Sequence, residues 1–226
     1  MGADPFVTAR RNMVDCQLVP GNIIQQDIIE ALANVPREQF VPEHLRGNAY
    51  VDEDLSLSKS RFLLAPLVLA RMLVLAEITP QDNVLDIGCA TGYSTAILGQ
   101  LAEKVVAVEE QMELAEKARQ LLTRLHIPNA EIITGPFTPG YPSSGPYDVI
   151  LINGAIEVLP DSLSDQLAEG GRLVVIQNVA LRPGKESGLG KAMLYRKSGG
   201  RLFSKQAFDA SVPLLHGFEQ KRQFDF

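Results

Sequence analysis

The stretch VLDIGCATGY, Val84 to Tyr93, decides how the second half of this chain folds. It begins as a short apolar run and continues, after Asp86, into a segment of small residues at Gly88, Ala90 and Gly92. Small residues let the backbone turn sharply and let a ligand come close to the free amides that begin a helix. The stretch therefore predicts a strand, a tight ligand-binding loop and a helix, in that order.

Two kinds of nucleotide-binding loop can be compared with this stretch. A dinucleotide site uses Gly-x-Gly-x-x-Gly, and the corresponding positions here are Gly88, Ala90 and Tyr93, which is a poor match. The spacing Asp-x-Gly-x-small-x-Gly resembles instead the nucleoside loop of the S-adenosylmethionine-dependent methyltransferases. Those enzymes hold no pyrophosphate, so the resemblance explains why the third glycine is absent.

Short apolar runs alternate with helical stretches after Gln81. The runs are rich in β-branched residues and nearly continuous in hydrophobicity, as strands covered on both faces require. They are NVLDIG, KVVAVE, AEIIT, DVILIN and RLVVIQ, and the helical stretches are YSTAILGQLA, QMELAEKARQLLTRLH and LPDSLSDQLAEG. This β-α-β rhythm predicts a doubly wound parallel sheet. Two alternating segments around Ser198-Gly199-Gly200 predict an antiparallel hairpin at the tail.

The chain before Gln81 predicts helices. In GNIIQQDIIEALANVP the apolar residues are three and four apart, with Asn22 as a candidate N-cap and Pro36 at the end. LVLARMLVLAEI predicts a second, largely buried helix that begins near Pro66. The mostly polar segment 48–60 between them predicts a surface segment.

Charge and hydropathy exclude some partners. The formal charge of −6 does not favour broad capture of nucleic acid, so we expect no nucleic-acid partner. The longest apolar run is broken by Pro66, Arg71 and Glu77, which predicts no membrane span. The first residues lack the apolar core of a secretory signal. Neither charge nor hydropathy predicts the oligomeric state.

Cysteine usage bears on the compartment. The chain has 2 cysteines, Cys16 and Cys89, without a Cys-x-x-Cys motif, so neither a disulfide framework nor a zinc site is indicated. We therefore expect no metal site, and a reducing cytoplasm fits best. We interpret Cys89 as a small loop residue rather than a nucleophile, because nothing in the sequence lowers its pKa.

Two further features support a nucleoside site. Glu109 ends the strand KVVAVE, 21 residues after Gly88, where a carboxylate can accept both hydroxyls of a ribose. In LAEGGRLVVI, a helix that ends at Gly170-Gly171 and is followed by a strand also resembles the methyltransferase fold. Taken singly, the glycines would mark a tight turn and Glu109 a solvated strand end, but their order and spacing favour the nucleoside site.

The first half narrows the resemblance to one family. The stretches MVDCQLVPGNIIQQDIIEALANVPREQFVP, AYVDEDLSL and PYDVILINGA resemble the protein-L-isoaspartate O-methyltransferase family, roughly over residues 13–214. The most specific pieces are Pro36-Arg37-Glu38 and Phe40-Val41-Pro42. The resemblance implies an α/β, Rossmann-like methyltransferase fold, with a mostly parallel sheet, an antiparallel C-terminal hairpin and a helical N-terminal section. We expect a single domain over 1–226, with the helical section and substrate lip in 1–80 and the core in 81–226.

The resemblance also implies the ligands and the residues that bind them. The cofactor would be S-adenosylmethionine, with S-adenosylhomocysteine as product, and the acceptor a protein, a peptide or a small molecule. The implied cofactor-binding residues are Asp86, Gly88, Cys89, Ala90, Gly92, Tyr93, Glu109, Glu110, Gly135, Phe137 and Asn153. The implied substrate-binding residues are Ser58, Lys59, Ser60, Phe62 and Leu64.

The chain departs from the family pattern at its substrate lip. Where the family has Gly-His-Gly-Gln-Thr-Ile-Ser-Gln, this chain has SKSRFLLA, so Phe62 takes the threonine position and Leu64 the serine position. Both hydroxyls are therefore replaced by apolar groups. We interpret the charges of Lys59 and Arg61 as solvated; the alternative is that they hold an anionic substrate.

Two further departures concern the cofactor and the tail. The family's Gly-Asp-Gly, whose acid meets the adenine amino group, is Gly135-Pro136-Phe137 here. Phe137 can still stack on adenine, but the hydrogen-bond partner is absent, so we expect cofactor affinity to be weaker or differently built. The arginine position near the tail holds Ala210.

Three functions can be considered for this sequence. The leading interpretation is a methyltransferase that acts on a carboxylate or another small acceptor in an altered pocket. The first rival is a binding or regulatory protein that kept the fold and lost turnover. The second is a nucleic-acid base methyltransferase, which is disfavoured because Asn153-Gly154-Ala155-Ile156 lacks the Pro-Pro-aromatic sequence of amino-group enzymes.

Overall fold

The computed structural model describes residues 4–178 and 189–220. Its strands are β1 (Leu55–Ser56), β2 (Phe62–Leu63), β3 (Asn83–Ile87), β4 (Lys104–Glu109), β5 (Ala130–Thr134), β6 (Tyr147–Ile156), β7 (Leu167–Asn178), β8 (Gly190–Ser198) and β9 (Arg201–Ala210). Its helices are α1 (Pro5–Met13), α2 (Gln26–Asn34), α3 (Pro66–Ala76), α4 (Tyr93–Leu101), α5 (Met112–Arg124) and α6 (Asp161–Asp165).

Seven strands form one sheet in the order β5-β4-β3-β6-β7-β8-β9. The first five of that order are parallel, and β8 and β9 are antiparallel to β7 and to each other. The hairpin turns at Gly199 and Gly200, both in the left-handed region. The predicted fold class is therefore confirmed, including the antiparallel hairpin at the tail.

The sheet reverses its winding direction at β3, which pairs with β4 on one side and with β6 on the other. In open α/β sheets a ligand crevice forms at such a reversal, at the carboxyl ends of the strands. The loop that follows β3 and the last residue of β4 both lie at this edge, so the topology brings the two predicted cofactor elements together.

The helical N-terminal section shares a core with the sheet. Buried residues of the section, such as Leu32 and Leu73, belong to the same apolar cluster as Val84 of β3 and Ile97 of α4. Two aspartates cap α3: Asp54 accepts a hydrogen bond from the Ala65 amide at 2.7 Å, and Asp52 accepts one from the Leu67 amide at 3.0 Å. The start of α3, where the lip ends, is thereby fixed to the preceding segment.

Arg37 ties this section to the lip. Its side chain is fully buried and donates to the carbonyl of Ala49 at 2.6 Å and to that of Leu64 at 2.7 Å. Its guanidinium lies 4.9 Å from the centre of the Tyr93 ring. The neighbouring Glu38 accepts hydrogen bonds from Arg10 and Tyr50.

Three local predictions need correction. Helix α2 begins at Gln26, after Gln25, and Asn22 is not its N-cap but a left-handed residue with φ of 66°. Helix α6 ends at Asp165, and Gly170-Gly171 lies within the span of β7, where the pairing with β6 shifts register. Segment 48–60 is largely exposed, but its Ala49, Tyr50 and Leu55 are buried. Apolar contacts with the core override the polar pattern at these three positions.

In the described part of the chain, none of the helices combines the length and the apolar character needed to cross a bilayer.

Candidate active site

The loop after β3 has the backbone that close approach of a ligand requires. Gly88, Ala90 and Gly92 all have positive φ, at 76°, 51° and 89°. A Cβ on Gly92 would lie 3.0 Å from that of Ala118 in α5, so glycine also lets the loop pack against the helix. Gly92 ends the loop and α4 begins directly at Tyr93.

Asp86, near the end of β3, holds this loop in place through its hydrogen bonds to neighbouring elements. Its side chain is fully buried, and one oxygen accepts hydrogen bonds from Ser94 at 2.8 Å and Thr95 at 2.7 Å, both in the first turn of α4. The other oxygen accepts one from the Asn153 amide at 2.5 Å. Burial raises the pKa of Asp86 from 3.8 to about 6, against the effect of these three donors. Asp86 and Asn153 therefore hold the strand ends and the helix start in one arrangement.

The raised pKa of Asp86 predicts a pH dependence of stability. Because the folded state disfavours the ionised form, the free energy of unfolding should fall as pH rises from about 4 to about 6 and then level off. We expect the difference in stability between the parent and Asp86→Asn to change by on the order of 3 kcal/mol between pH 4 and pH 7. Urea denaturation across that range measures it. The exposed Asp15→Asn is the matched control, and parallel profiles for parent and Asp86→Asn would contradict the prediction.

Glu109 is fully buried at the end of β4. One carboxylate oxygen accepts the amide of Ala90 at 2.8 Å and the guanidinium Nε of Arg61 at 3.2 Å. The other accepts the amide of Gln111 at 3.0 Å. A carboxylate offers about four acceptor positions, so three of those of Glu109 are used by the protein itself.

Arg61 is the residue that the sequence interpretation missed. We expected a solvated charge, but the side chain is 2% exposed and enters the crevice between the loop and β4. It donates to the carbonyl of Gly88 at 2.6 Å as well as to Glu109, and its guanidinium lies 5.0 Å from the centre of the Phe137 ring. The expectation was wrong because the opposite charge that allows burial comes from a strand far along the chain.

The remaining predicted cofactor residues surround this crevice. Phe137 is 2% exposed, and the Gly135 amide donates to the Glu109 carbonyl at 3.1 Å. Glu110 is partly exposed and its carboxylate lies 3.4 Å from Nδ1 of His216. Leu215, which follows the tail bridge to β6, would lie 3.2 Å from a Cβ on Gly88. The tail thus packs against Gly88, whereas α5 packs against Gly92.

Cys89 and Tyr93 are fully enclosed. Cys89 is 2% exposed, and burial raises the pKa of its thiol well above its ordinary value, which disfavours the thiolate. Tyr93 is 0% exposed, and its ring meets Phe40 edge-on, with the ring centres 5.4 Å apart. Both residues shape the crevice through packing.

The lip is a small hairpin beside the crevice. Strands β1 and β2 pair over two residues each, and the turn between them is held by the amides of Leu57 and Ser58, which donate to the Arg61 carbonyl. Lys59 and Ser60 are exposed, and the Ser60 hydroxyl accepts from the Gln111 side chain at 3.0 Å. Ser58 Oγ is buried and has no hydrogen-bond partner among the described residues.

Phe62 and Leu64 face the start of the cofactor loop. They line a cavity together with Leu63, Gly88, Tyr93 and Asn153. The volume of this cavity is about 10 Å³, which is enough for a single water molecule. Among the described residues, the structure thus brings lip and loop together, and this cavity between them is too small for an acceptor.

Comparison with known proteins agrees with the sheet and the loop. A family model described as Protein-L-isoaspartate(D-aspartate) O-methyltransferase matches residues 9–205. A protein-L-isoaspartate O-methyltransferase of Koribacter versatilis is 37% identical over 220 residues, covering 95% of this chain and 96% of that protein. One of Methanoregula boonei is 41% identical over 171 residues, covering 76% of this chain and 79% of that protein.

Solved structures show the same fold. A protein-L-isoaspartate O-methyltransferase superposes with a TM-score of 0.80 at 24% identity, covering 92% of this chain and 66% of that chain. A putative enzyme of this kind from Plasmodium falciparum, in complex with S-adenosylhomocysteine, has a TM-score of 0.75 at 20% identity, covering 94% of this chain and 99% of that chain.

Sheet order, strand-end loop and homology together define the class as S-adenosylmethionine-dependent methyltransferases. Within that class, this chain belongs to the protein-L-isoaspartate O-methyltransferase family. The family assignment and the cofactor that the sequence predicted are thereby confirmed.

Proposed function

We propose that this chain transfers a methyl group from S-adenosylmethionine to a carboxylate, or to another small acceptor, in a pocket that differs from that of its family. One observation carries the proposal: a positive-φ loop of small residues, Gly88 to Gly92, lies against a buried carboxylate, Glu109, at the reversal point of the sheet. This set of groups suits a nucleoside with a free ribose edge.

The residues present fit the adenosyl group in chemistry. Glu109 would accept the ribose hydroxyls, and the loop amides and Phe137 would border the nucleoside. Asp86 and Asn153 keep the loop in place from below. When bound, S-adenosylmethionine supplies an electrophilic methyl group on its sulfonium. What the chain itself must do is orient the acceptor and exclude water.

A carboxylate acceptor needs no general base, because a free carboxyl group has a pKa near 4 and is ionised at neutral pH. Alignment of the reactants can supply about 7–11 kcal/mol of the barrier reduction. The family's lip has hydroxyls for that alignment, whereas Phe62 and Leu64 have none, and Leu64 is 4% exposed. A carboxylate buried against them would lack donors, which is costly. The acceptor of this chain therefore differs in shape or charge from an isoaspartyl side chain.

We expect isoaspartyl repair to be weak. Loss of two hydrogen-bond donors to a charged acceptor costs at least about 2 kcal/mol, so methylation of an isoaspartyl peptide should be at least about thirtyfold slower than with the Koribacter relative as control. Transfer of a labelled methyl group measures it. Turnover equal to that of the relative would contradict an altered pocket.

The same assay tests methyl transfer as such. A panel of peptides and small carboxylates is offered with labelled donor, and product esters are recognised because base releases their label as methanol. Base-labile incorporation into one of these acceptors would support the proposal. Donor binding without label incorporation, base-labile or base-stable, into any of these acceptors would contradict methyl transfer and favour the second candidate.

The second candidate is a binding protein that has lost turnover. One observation favours it: the buried ion pair between Arg61 and Glu109 lies in the crevice, and the described cavity between lip and loop has a volume of only about 10 Å³. Such a protein would recognise its partner through the lip and the tail rather than through methyl transfer.

Two further features of the chain are part of the proposal. We propose a single domain over residues 1–226, supported by the apolar cluster shared between the N-terminal section and the sheet. We also propose a reducing cytoplasm as its location, supported by the two free cysteines, Cys16 and Cys89. A protein or peptide is the acceptor class favoured by the family.

A further inference from the structure

The guanidinium of Arg61 lies where an adenosine would have to lie. It touches three groups that belong to three different parts of the crevice: the Gly88 carbonyl of the loop at 2.6 Å, the Glu109 carboxylate at 3.2 Å and the Phe137 ring at 5.0 Å. A planar cation on an aromatic face imitates the stacking of a base, and its N–H groups imitate ribose hydroxyls. One side chain therefore occupies both recognition points of the nucleoside.

We propose that Arg61 is an internal gate: it competes with the nucleoside for Glu109 and Phe137, and donor binding requires the tip of the β1–β2 hairpin, residues 57–61, to move away from the crevice. This inference rests on the proposed function. In this proposal Arg61 controls access of the cofactor to its site, and it neither binds the cofactor nor takes part in methyl transfer.

The acceptor positions of Glu109 support the gate. The amides of Ala90 and Gln111 use two of its about four positions, and Arg61 uses a third. With Arg61 in place, one position is left, whereas two ribose hydroxyls need two. Removal of Arg61 alone makes the carboxylate competent, without any change in the loop.

The hairpin that carries Arg61 can move at modest cost. Strands β1 and β2 pair over two residues each, and a two-stranded ribbon of that size is marginal by itself. Its tip is solvent-exposed at Lys59 and Ser60, and Ser60 is joined to α5 through a single hydrogen bond from Gln111. Leu55 and Leu63, at the base of the hairpin, are buried in the core, so the part that can move is the tip, residues 57–61. This tip is held in place largely by the buried contacts of Arg61.

The gate predicts two measurable effects on S-adenosylhomocysteine binding. If only molecules with Arg61 out of the crevice bind the ligand, the apparent affinity of the parent is reduced in proportion to their fraction. Arg61→Gln should therefore bind S-adenosylhomocysteine about tenfold more tightly than the parent in calorimetric titration. Arg61→Met, which keeps the apolar stem, should act in the same direction. Arg46→Gln, which removes an exposed cation, is the matched control and should bind like the parent.

Amide hydrogen exchange gives the second readout. In the parent, saturating S-adenosylhomocysteine should speed exchange in segment 55–63, because the amides of Leu57 and Ser58 depend on the turn closed by Arg61. A ligand that simply packs beside a fixed lip would slow exchange there instead. In Arg61→Gln the ligand-induced change should be smaller.

The outcomes separate the gate from the proposed function. Equal affinity of the parent and both Arg61 variants, with slower exchange in 55–63 on binding, would overturn the gate and leave the methyltransferase proposal intact. No binding by the parent or by folded Arg61→Gln at millimolar ligand would overturn both, because the crevice would then not accept a nucleoside even without the arginine. Tighter binding by the variants, with faster exchange in the parent, supports both.

Discussion

On an Arg61→Gln background, glutamine in place of Glu109 is expected to weaken S-adenosylhomocysteine binding about a hundredfold. The buried carboxylate would hold two ribose hydroxyls through charge-assisted hydrogen bonds, each stronger than a neutral one by about 1.5 kcal/mol. Their loss gives about 3 kcal/mol, or about two decades in affinity. The Arg61→Gln background is needed because Glu109 also holds Arg61 in the crevice. In the parent, replacing Glu109 would release Arg61, and this release would offset part of the loss in ligand affinity.

Calorimetric titration measures this change, and Glu113→Gln is the matched control, since Glu113 is an exposed carboxylate in the first turn of α5. A melting curve of each variant separates lost binding from lost folding, because Glu109 also holds the Ala90 amide. An affinity within threefold of the Arg61→Gln background would mean that the ribose is held elsewhere.

The second large effect concerns stability. Alanine in place of Arg37 should lower the free energy of unfolding by about 3–5 kcal/mol, because it leaves the buried carbonyls of Ala49 and Leu64 without donors and opens a cavity against Tyr93. For a chain of this size the melting temperature should fall by about 10 °C. The stability of Arg37→Lys should lie between that of the parent and that of Arg37→Ala, because a single ammonium group replaces a guanidinium that reaches both carbonyls.

Arg11→Ala is the control for this comparison, because Arg11 is exposed on α1 and should change stability by no more than about 0.5 kcal/mol. Calorimetric melting of the three variants decides the matter. If Arg37→Ala melts within two degrees of the parent, the buried contacts of Arg37 do not hold the lip to the N-terminal section.

The sheet and the cofactor loop were predictable because their signals are local. The apolar runs specify strands covered on both faces, and the small residues at Gly88, Ala90 and Gly92 are needed where the backbone has positive φ. Glu109 could be placed because a strand end and a fixed spacing mark it. These features depend on neighbours within the same β-α-β unit.

The burial of Arg61 could not be predicted from such local signals. In the sequence it follows Lys59 and Ser60 in a polar stretch, whereas its counter-charge is 48 residues further along the chain. The one local signal is that the charge directly precedes the apolar residues Phe62 to Leu64, which include β2 and lead to the buried start of α3. The N-cap prediction at Asn22 failed for a local reason: its backbone is left-handed and its amide donates to the carbonyl of Val19 at 3.0 Å, so Asn22 closes the preceding helical turn instead of starting α2.

Co-crystallisation with S-adenosylhomocysteine tests the central claim most directly. We expect a nucleoside whose ribose hydroxyls bind Glu109 and whose base borders Phe137. The Arg61 side chain should then no longer contact either Glu109 or Phe137. A crevice without nucleoside at saturating ligand, with Arg61 still bound to Glu109, would contradict it.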